Sequence, residues 1–298
     1  MAAKIKAGSV RTKDVAFFSG PGLRIAGRFY LPARGRDRRA GIVFCHGFGG
    51  TKEGTPPGLS RLLAQHGYTV LTFDYRGFGE SDGPRGRLVQ TEQIEDTVHA
   101  IEYLAQQATI DPGKIGIYGT SFGGGIALLA AKRSERPRAA FITVPVTSGS
   151  HWLKSMNRWY EYRELKARAM QAIAKKAVSG EMEMVDRFDI MVPDPLTRAR
   201  YPDRVPFALE TFYHVAHYEP LAEAQDIHFP VGIIAIRDDQ LVPVEQATML
   251  YDRLRGPKLL RLLAEGSHFS VYDELLPTVA KEAIEWFDKH LEGTHAYT

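Results

Sequence analysis

The stretch YGTSFGGGIA (118–127) sets one serine, Ser121, among residues with little or no side chain. Glycine in a helix costs roughly 0.5–1 kcal/mol relative to alanine. Gly119, Gly123, Gly124 and Gly125 therefore need a reason. Either the backbone bends sharply here, or something comes very close to it. The segment before it, KIGIYGT (114–120), reads as a strand, and 122–133 reads as a helix. Ser121 stands at the corner between them, within a G-x-S-x-G pattern at 119–123. A nucleophile at such a corner is forced into a strained backbone conformation that lifts its Oγ above the sheet. The flanking glycines leave room for neighbouring backbone, and the helix N-terminus adds positive partial charge where an oxyanion would form. Ser121 is therefore the candidate nucleophile.

Outward from this corner, short apolar runs alternate with helical patterns. AGIVFCHG (40–47), YTVLTFDY (68–75) and RAAFITV (138–144) read as strands, and continuous apolar runs of this kind suit strands covered on both faces. Helical patterns follow the first two: PGLSRLLAQHG, closing on Gly67, and about 90–107, with Ile94, Val98, Ile101 and Leu104 on one face. The pattern returns late, with PVGIIAI (230–236), a helix near 243–255, KLLRLLA (258–264) and a last helix near 271–291. In that last helix Leu275, Val279, Glu282, Ala283, Trp286 and Phe287 follow helical spacing. DVAFFSG (14–20) and LRIAGRFYLP (23–32) form a hairpin across Gly20-Pro21-Gly22. The expected class is α/β, a mostly parallel central sheet flanked by helices, in one domain over 1–298.

Residues at about 147–227 interrupt the alternation and are rich in large aromatics, Trp152, Trp159, Phe207, Phe212 and Tyr218 among them. A helix is expected over 161–178, with Tyr162, Leu165, Ala169, Ile173 and Ala177 on one face, and Pro193, Pro195, Pro202 and Pro206 then break the chain into short pieces. An insertion between two late strands lies above the carboxyl edge of the sheet, where open α/β sheets bind ligands, so it reads as a helical cap or lid.

A serine needs a base, and the base needs an orienting acid. In the known motif order for a corner serine, Ser…Asp/Glu…His, the acid should follow a late strand and the histidine should come last. EGSHFS (265–270) puts His268 directly after a strand. RDDQLVP (237–243) offers Asp238 and Asp239; the latter has the spacing D-x-x-V-P to the start of the next helix and is preferred. His99 lies within a helix, His290 and His295 lie in the terminal segment, and His151, His214 and His217 belong to the insertion, where they could at most line a pocket. Two backbone N–H donors for an oxyanion are expected from Phe122, after the nucleophile, and from Phe48 in HGFGG (46–50). His46 reads as a loop brace. The histidines lack metal-ligand spacing, and neither a metal nor an organic cofactor is expected.

Composition narrows the partners. A chain of 298 residues carrying a net charge of +3 has its basic residues dispersed, and the run at 34–39 reads as a solvated turn. No nucleic-acid partner is expected. The N-terminus lacks the apolar core of a secretory signal, and no run approaches the roughly 20 apolar residues of a membrane helix, so no membrane partner is expected. A lone cysteine, Cys45, suits a reducing compartment, and a cytoplasmic location is expected.

Together HGFGG (46–50), DYRGFGESDG (74–83), GTSFGG (119–124), DDQLVP (238–243) and GSHF (266–269) resemble the α/β-hydrolase superfamily of serine hydrolases, in the family's order along nearly the whole chain. Esterases and Xaa-Pro-peptidase-like hydrolases of that superfamily are both similar in tone. The resemblance implies the α/β-hydrolase fold, with Ser121 as nucleophile, Asp239 as acid and His268 as base, and it implies loop bracing for the charges at 74–81. The expected reaction is hydrolysis of a carboxylic ester or thioester bearing a partly apolar acyl or aromatic group, through an acyl-enzyme. A peptidase or amidase and a C–C bond hydrolase use the same three residues. A small-molecule receptor on the same fold would lack part of them.

Overall fold

Residues 10–33 and 35–292 are described by a computed structural model. Residues 1–9, Arg34 of the basic run and the terminal His295 lie outside the described residues. A hairpin comes first: β1 (Arg11–Ser19) pairs antiparallel with β2 (Leu23–Leu31), and Gly20 and Gly22 make the turn at φ 51° and 87°. Then follow β3 (Gly41–Cys45), α1 (Pro56–Gln65), β4 (Thr69–Phe73), α2 (Gln90–Ala105), β5 (Ile115–Thr120), α3 (Phe122–Ser134) and β6 (Ala139–Thr143).

The inserted segment holds α4 (Gly149–Met156), α5 (Trp159–Ser179), β7 (Met184–Asp186), α6 (Arg187–Ile190), α7 (Pro195–Arg200), β8 (Pro206–Ala208), α8 (Glu210–Ala216) and a 3-10 turn at Pro220–Asp226. After it come β9 (Val231–Ile236), α9 (Glu245–Arg253), β10 (Lys258–Leu263), a 3-10 turn at Ser270–Tyr272 and α10 (Leu276–Leu291). No described helix is long and apolar enough to cross a membrane.

The main sheet runs β1-β2-β4-β3-β5-β6-β9-β10. β2 pairs antiparallel with β1 and β4, and every pair from β4 to β10 is parallel. Alternation along β3 shows why its sequence is apolar throughout. Ile42 and Phe44 face α1 and α10 (Leu59, Leu63, Ala283, Phe287), whereas Val43 and Cys45 face α2 and α3 (Ile101, Leu104, Ile126). The chain crosses from β4 on one side of β3 to β5 on the other, which makes β3–β5 the switch point of the sheet. Cys45 lies opposite Gly119, so the loops after β3 and β5 leave the sheet side by side.

Two expectations need correction. In α5 the inward stripe is Tyr162, Ala169 and Ala172, with Ala177 exposed. The last turn points Lys176 inward instead, to pair with buried Glu210 of α8 at 2.7 Å. The last helix begins at Leu276, not near 271. A tight turn precedes it, in which the Ser267 N–H donates to Ser270 Oγ (2.9 Å) and the Leu275 N–H to the Ser270 carbonyl (2.8 Å).

Candidate active site

Ser121 adopts φ 54° and ψ −128°, a region that L-residues occupy at a cost. Its surroundings hold it there. The Ser121 N–H donates to the Thr143 carbonyl (2.9 Å), and the Ser121 carbonyl accepts from Gly124 N–H (2.9 Å) and Val146 N–H (3.0 Å). The glycines serve close approach as well as the bend. A Cβ on Gly123 would collide with the carbonyl oxygens of Cys45 and His46, and one on Gly119 with the Gly123 carbonyl. These obstacles are backbone, at the end of β3 and in the first turn of α3, and cannot swing aside. Gly123→Ala is therefore expected to lose about 3 kcal/mol of stability, the upper range for overpacking. At Gly54 the nearest atom is 3.5 Å from an added Cβ, so Gly54→Ala should stay within about 0.5 kcal/mol. Urea denaturation of the pair checks both.

The structure brings Ser121, His268 and Asp239 into a row. His268 Nδ1 lies 2.7 Å from Asp239 Oδ2, and Nε2 lies 3.0 Å from Ser121 Oγ. A carboxylate only accepts, so Nδ1 carries the hydrogen, and in the neutral ring Nε2 is left to accept from the hydroxyl. All three are buried, at 6% exposure for Ser121, 3% for His268 and 7% for Asp239. The other Asp239 oxygen, Oδ1, accepts from the N–H groups of Leu241 and Val242, both at 2.9 Å. Asp238 points to solvent, outside this row.

The loop after β3 passes directly over Ser121: a Cβ on Gly47 would stand 3.1 Å from Ser121 Cβ. Phe48 follows in that loop, and Phe122 opens α3, where helix N–H groups have no partner within the helix. Asp74 braces the loop, accepting from Lys52 N–H (2.7 Å), Lys52 Nζ (3.0 Å) and Glu80 N–H (2.9 Å). Burial pushes the Lys52 pKa down, yet bonds to Glu80 and Asp74 outweigh it and hold it above the ordinary lysine value. His46 Nδ1 donates to the Gly47 carbonyl (3.1 Å), and burial drives its pKa down, leaving a neutral brace. Behind the corner a chain of hydroxyls runs from Tyr118 to Thr143 (2.8 Å), Thr120 (3.0 Å) and Tyr272 (2.7 Å). It ties the strand before Ser121 to the loop that carries His268.

Aromatic rings of the segment between β6 and β9 pack on Phe48 and Phe122. Phe207 stacks on Phe48 with centroids 4.9 Å apart, and Tyr218 lies 4.4 Å from Phe122. Sequence reasoning missed Lys52, Gln246 and the hydroxyl chain, because a lone lysine, glutamine or threonine carries no motif. His151 makes its ring contact with the Gln246 amide (3.0 Å), and His217 donates to the Tyr213 carbonyl (2.7 Å). Among the described residues no cluster of three or more His, Cys, Asp or Glu is placed to hold a metal ion.

Comparison with known proteins places this geometry. An uncharacterized 31.7 kDa protein of the traX-finO intergenic region of Escherichia coli is 32% identical over 278 residues, covering 90% of this chain and 96% of that one. The thiohydrolase aneE of Aspergillus aculeatus is 26% identical over 275 residues, 86% of each chain. In solved structures, the α/β hydrolase GrgF from a Penicillium species superposes with a TM-score of 0.83 at 21% identity, over 95% of this chain and all of that one. Residues 36–274, from just before β3 to beyond the His268 loop, match the family described as serine aminopeptidase, S33. A parallel sheet with its corner serine at the switch point, and a family match spanning every segment that builds the row, make the chain a member of that family and a hydrolase of the α/β-hydrolase fold.

Proposed function

We propose that the chain hydrolyses a carboxylic ester or thioester with an apolar acyl or aromatic group, through an acyl-enzyme on Ser121. One observation carries the reading: His268 reaches Ser121 Oγ at 3.0 Å while its far nitrogen is held by Asp239 at 2.7 Å. Oγ attacks the substrate carbonyl carbon as His268 Nε2 takes its proton. The carbonyl oxygen becomes an oxyanion, and the N–H groups of Phe48 and Phe122 receive it. His268 then hands the proton to the leaving alcohol or thiol. Water, deprotonated by the same imidazole, attacks the acyl-enzyme and frees the acid and Ser121. Asp239 keeps Nδ1 protonated throughout. The inserted segment acts as the cap, and its rings at Phe207 and Tyr218 supply the apolar wall. The likeness to a thiohydrolase supports the same bond class. The single buried thiol, Cys45, supports a reducing, cytoplasmic setting.

The family description names an aminopeptidase, which must seat a substrate ammonium on a carboxylate. Each of the two buried carboxylates of the insertion faces a basic side chain. Glu210 is paired with Arg87 (2.6 Å) and Lys176 (2.7 Å). Asp186 accepts from Phe188 N–H (2.8 Å) and lies 3.4 Å from Arg204. An ester and thioester series of rising acyl length, run beside aminoacyl-arylamides, tests the reading. Expected is a kcat/KM at least about 100-fold higher on esters and thioesters, rising from acetyl to longer chains. Turnover of arylamides alone would overturn it.

A further inference from the structure

Trp152, on the first helix of the insertion, is fully buried and contacts the loops after β3 and β9 and the start of α3. Its Nε1–H donates to the Leu241 carbonyl at 2.8 Å. Leu241 in turn donates its own N–H to Asp239 Oδ1 at 2.9 Å. The indole ring packs on Phe48 (centroids 5.8 Å apart) and Phe122 (6.1 Å), the two residues whose N–H groups are assigned to the oxyanion. Gln246 of α9 fixes where Trp152 can sit. Its amide oxygen accepts from the N–H groups of Thr147 and Ser148, both at 2.8 Å, and its amide nitrogen donates to the Ser148 carbonyl at 3.0 Å. The Ser148 carbonyl also receives the backbone N–H of Trp152 at 3.0 Å.

We propose that Trp152 is a positioning residue for Asp239: it pins the 239–242 loop to the cap, so that cap seating and the aim of the acid on His268 are one event. The proposal rests on the reading of Ser121, His268 and Asp239 given above. Without the indole N–H, the Leu241 carbonyl loses this buried donor and the loop is free to shift. The Leu241 N–H then no longer fixes the Asp239 oxygen it holds. A shift of this kind disturbs the chemical step and leaves the acyl wall in place, so it separates kcat from KM.

The test replaces Trp152 by 3-(3-benzothienyl)alanine, which keeps the bicyclic shape and substitutes sulfur for N–H, and separately makes Trp152→Phe. With a short-chain ester, both are expected to lower kcat about tenfold with KM within about twofold. Fluorophosphonate labelling of Ser121 should still reach completion, at a correspondingly lower rate. In the Asp239→Asn background the same replacement should cost nothing further, because both changes act on one link. A variant with lower Tm and wild-type kcat has lost only a core hydrogen bond, and that result overturns the proposal. So does a full tenfold loss that persists without Asp239. Wild-type protein that fails to label at Ser121 instead defeats the reading of the row itself, and the positioning role with it.

Discussion

Alanine in place of Ser121 will lower kcat on esters by about a million-fold and abolish fluorophosphonate labelling, with the fold unchanged. The size follows from what the residue does alone. In the proposed reaction Oγ is the atom that becomes acylated, and no other hydroxyl or thiol is hydrogen-bonded to His268 among the described residues. Cys45 is one strand away but buried, and burial pushes its thiol up to about 12, so it supplies no thiolate near neutrality. Removing the nucleophile therefore leaves only substrate binding and the two backbone donors, which retain about 1,000- to 10,000-fold over the reaction in water. The fold is kept because the bonds that hold position 121 at φ 54° are backbone bonds to Thr143, Gly124 and Val146. Loss of labelling with an unchanged urea midpoint is the expected pair of readings. A variant that still forms a covalent acyl adduct would place the nucleophile elsewhere.

Much of this candidate site was legible in sequence because a serine held at a strand–helix corner imposes local chemistry. Gly119 and Gly123 are conspicuous since no other residue fits against the ends of β3 and α3, and HGFGG stands out for the same reason at Ser121. The alternation of strands and helices was equally visible, since each element carries its own period. What stayed hidden depends on partners far away in the chain. Lys52 and Asp74 meet across 22 positions, Gln246 and Thr147 across 99, and Trp152 and Leu241 across 89. None of these pairs leaves a periodic trace. The inward stripe of α5 was misread at its end for the same cause: Lys176 turns inward because Glu210, on another helix, is there to receive it. Between Asp238 and Asp239 the spacing alone expressed a preference, and the geometry that separates them is the pair of N–H groups from Leu241 and Val242.

Those two N–H groups also dictate how the acid will fail when neutralised. Asp239→Asn is expected to reduce kcat about ten-thousand-fold while the protein stays folded and binds substrate with little change in KM. Asparagine has one accepting oxygen and one donating NH2. Leu241 and Val242 both donate at the Oδ1 position, so the amide must turn its oxygen there, or two buried donors would face another donor. The NH2 then falls at the Oδ2 position, 2.7 Å from His268 Nδ1. A donor at that point makes Nδ1 the acceptor, and the neutral ring must carry its hydrogen on Nε2 instead. That hydrogen faces Ser121 Oγ, so the imidazole presents a donor where a base is needed. The fault is one of tautomer and not of geometry, which separates it from simple removal of the side chain. Asp238→Asn, on the exposed side of the same loop, should keep kcat within about twofold, since its carboxylate takes no part in this arrangement. Steady-state kinetics on the two variants, with nitrogen NMR of His268 to read which ring nitrogen is protonated, decide the matter. A ten-thousand-fold loss at position 238 with an active variant at 239 would transfer the acid's role to its neighbour.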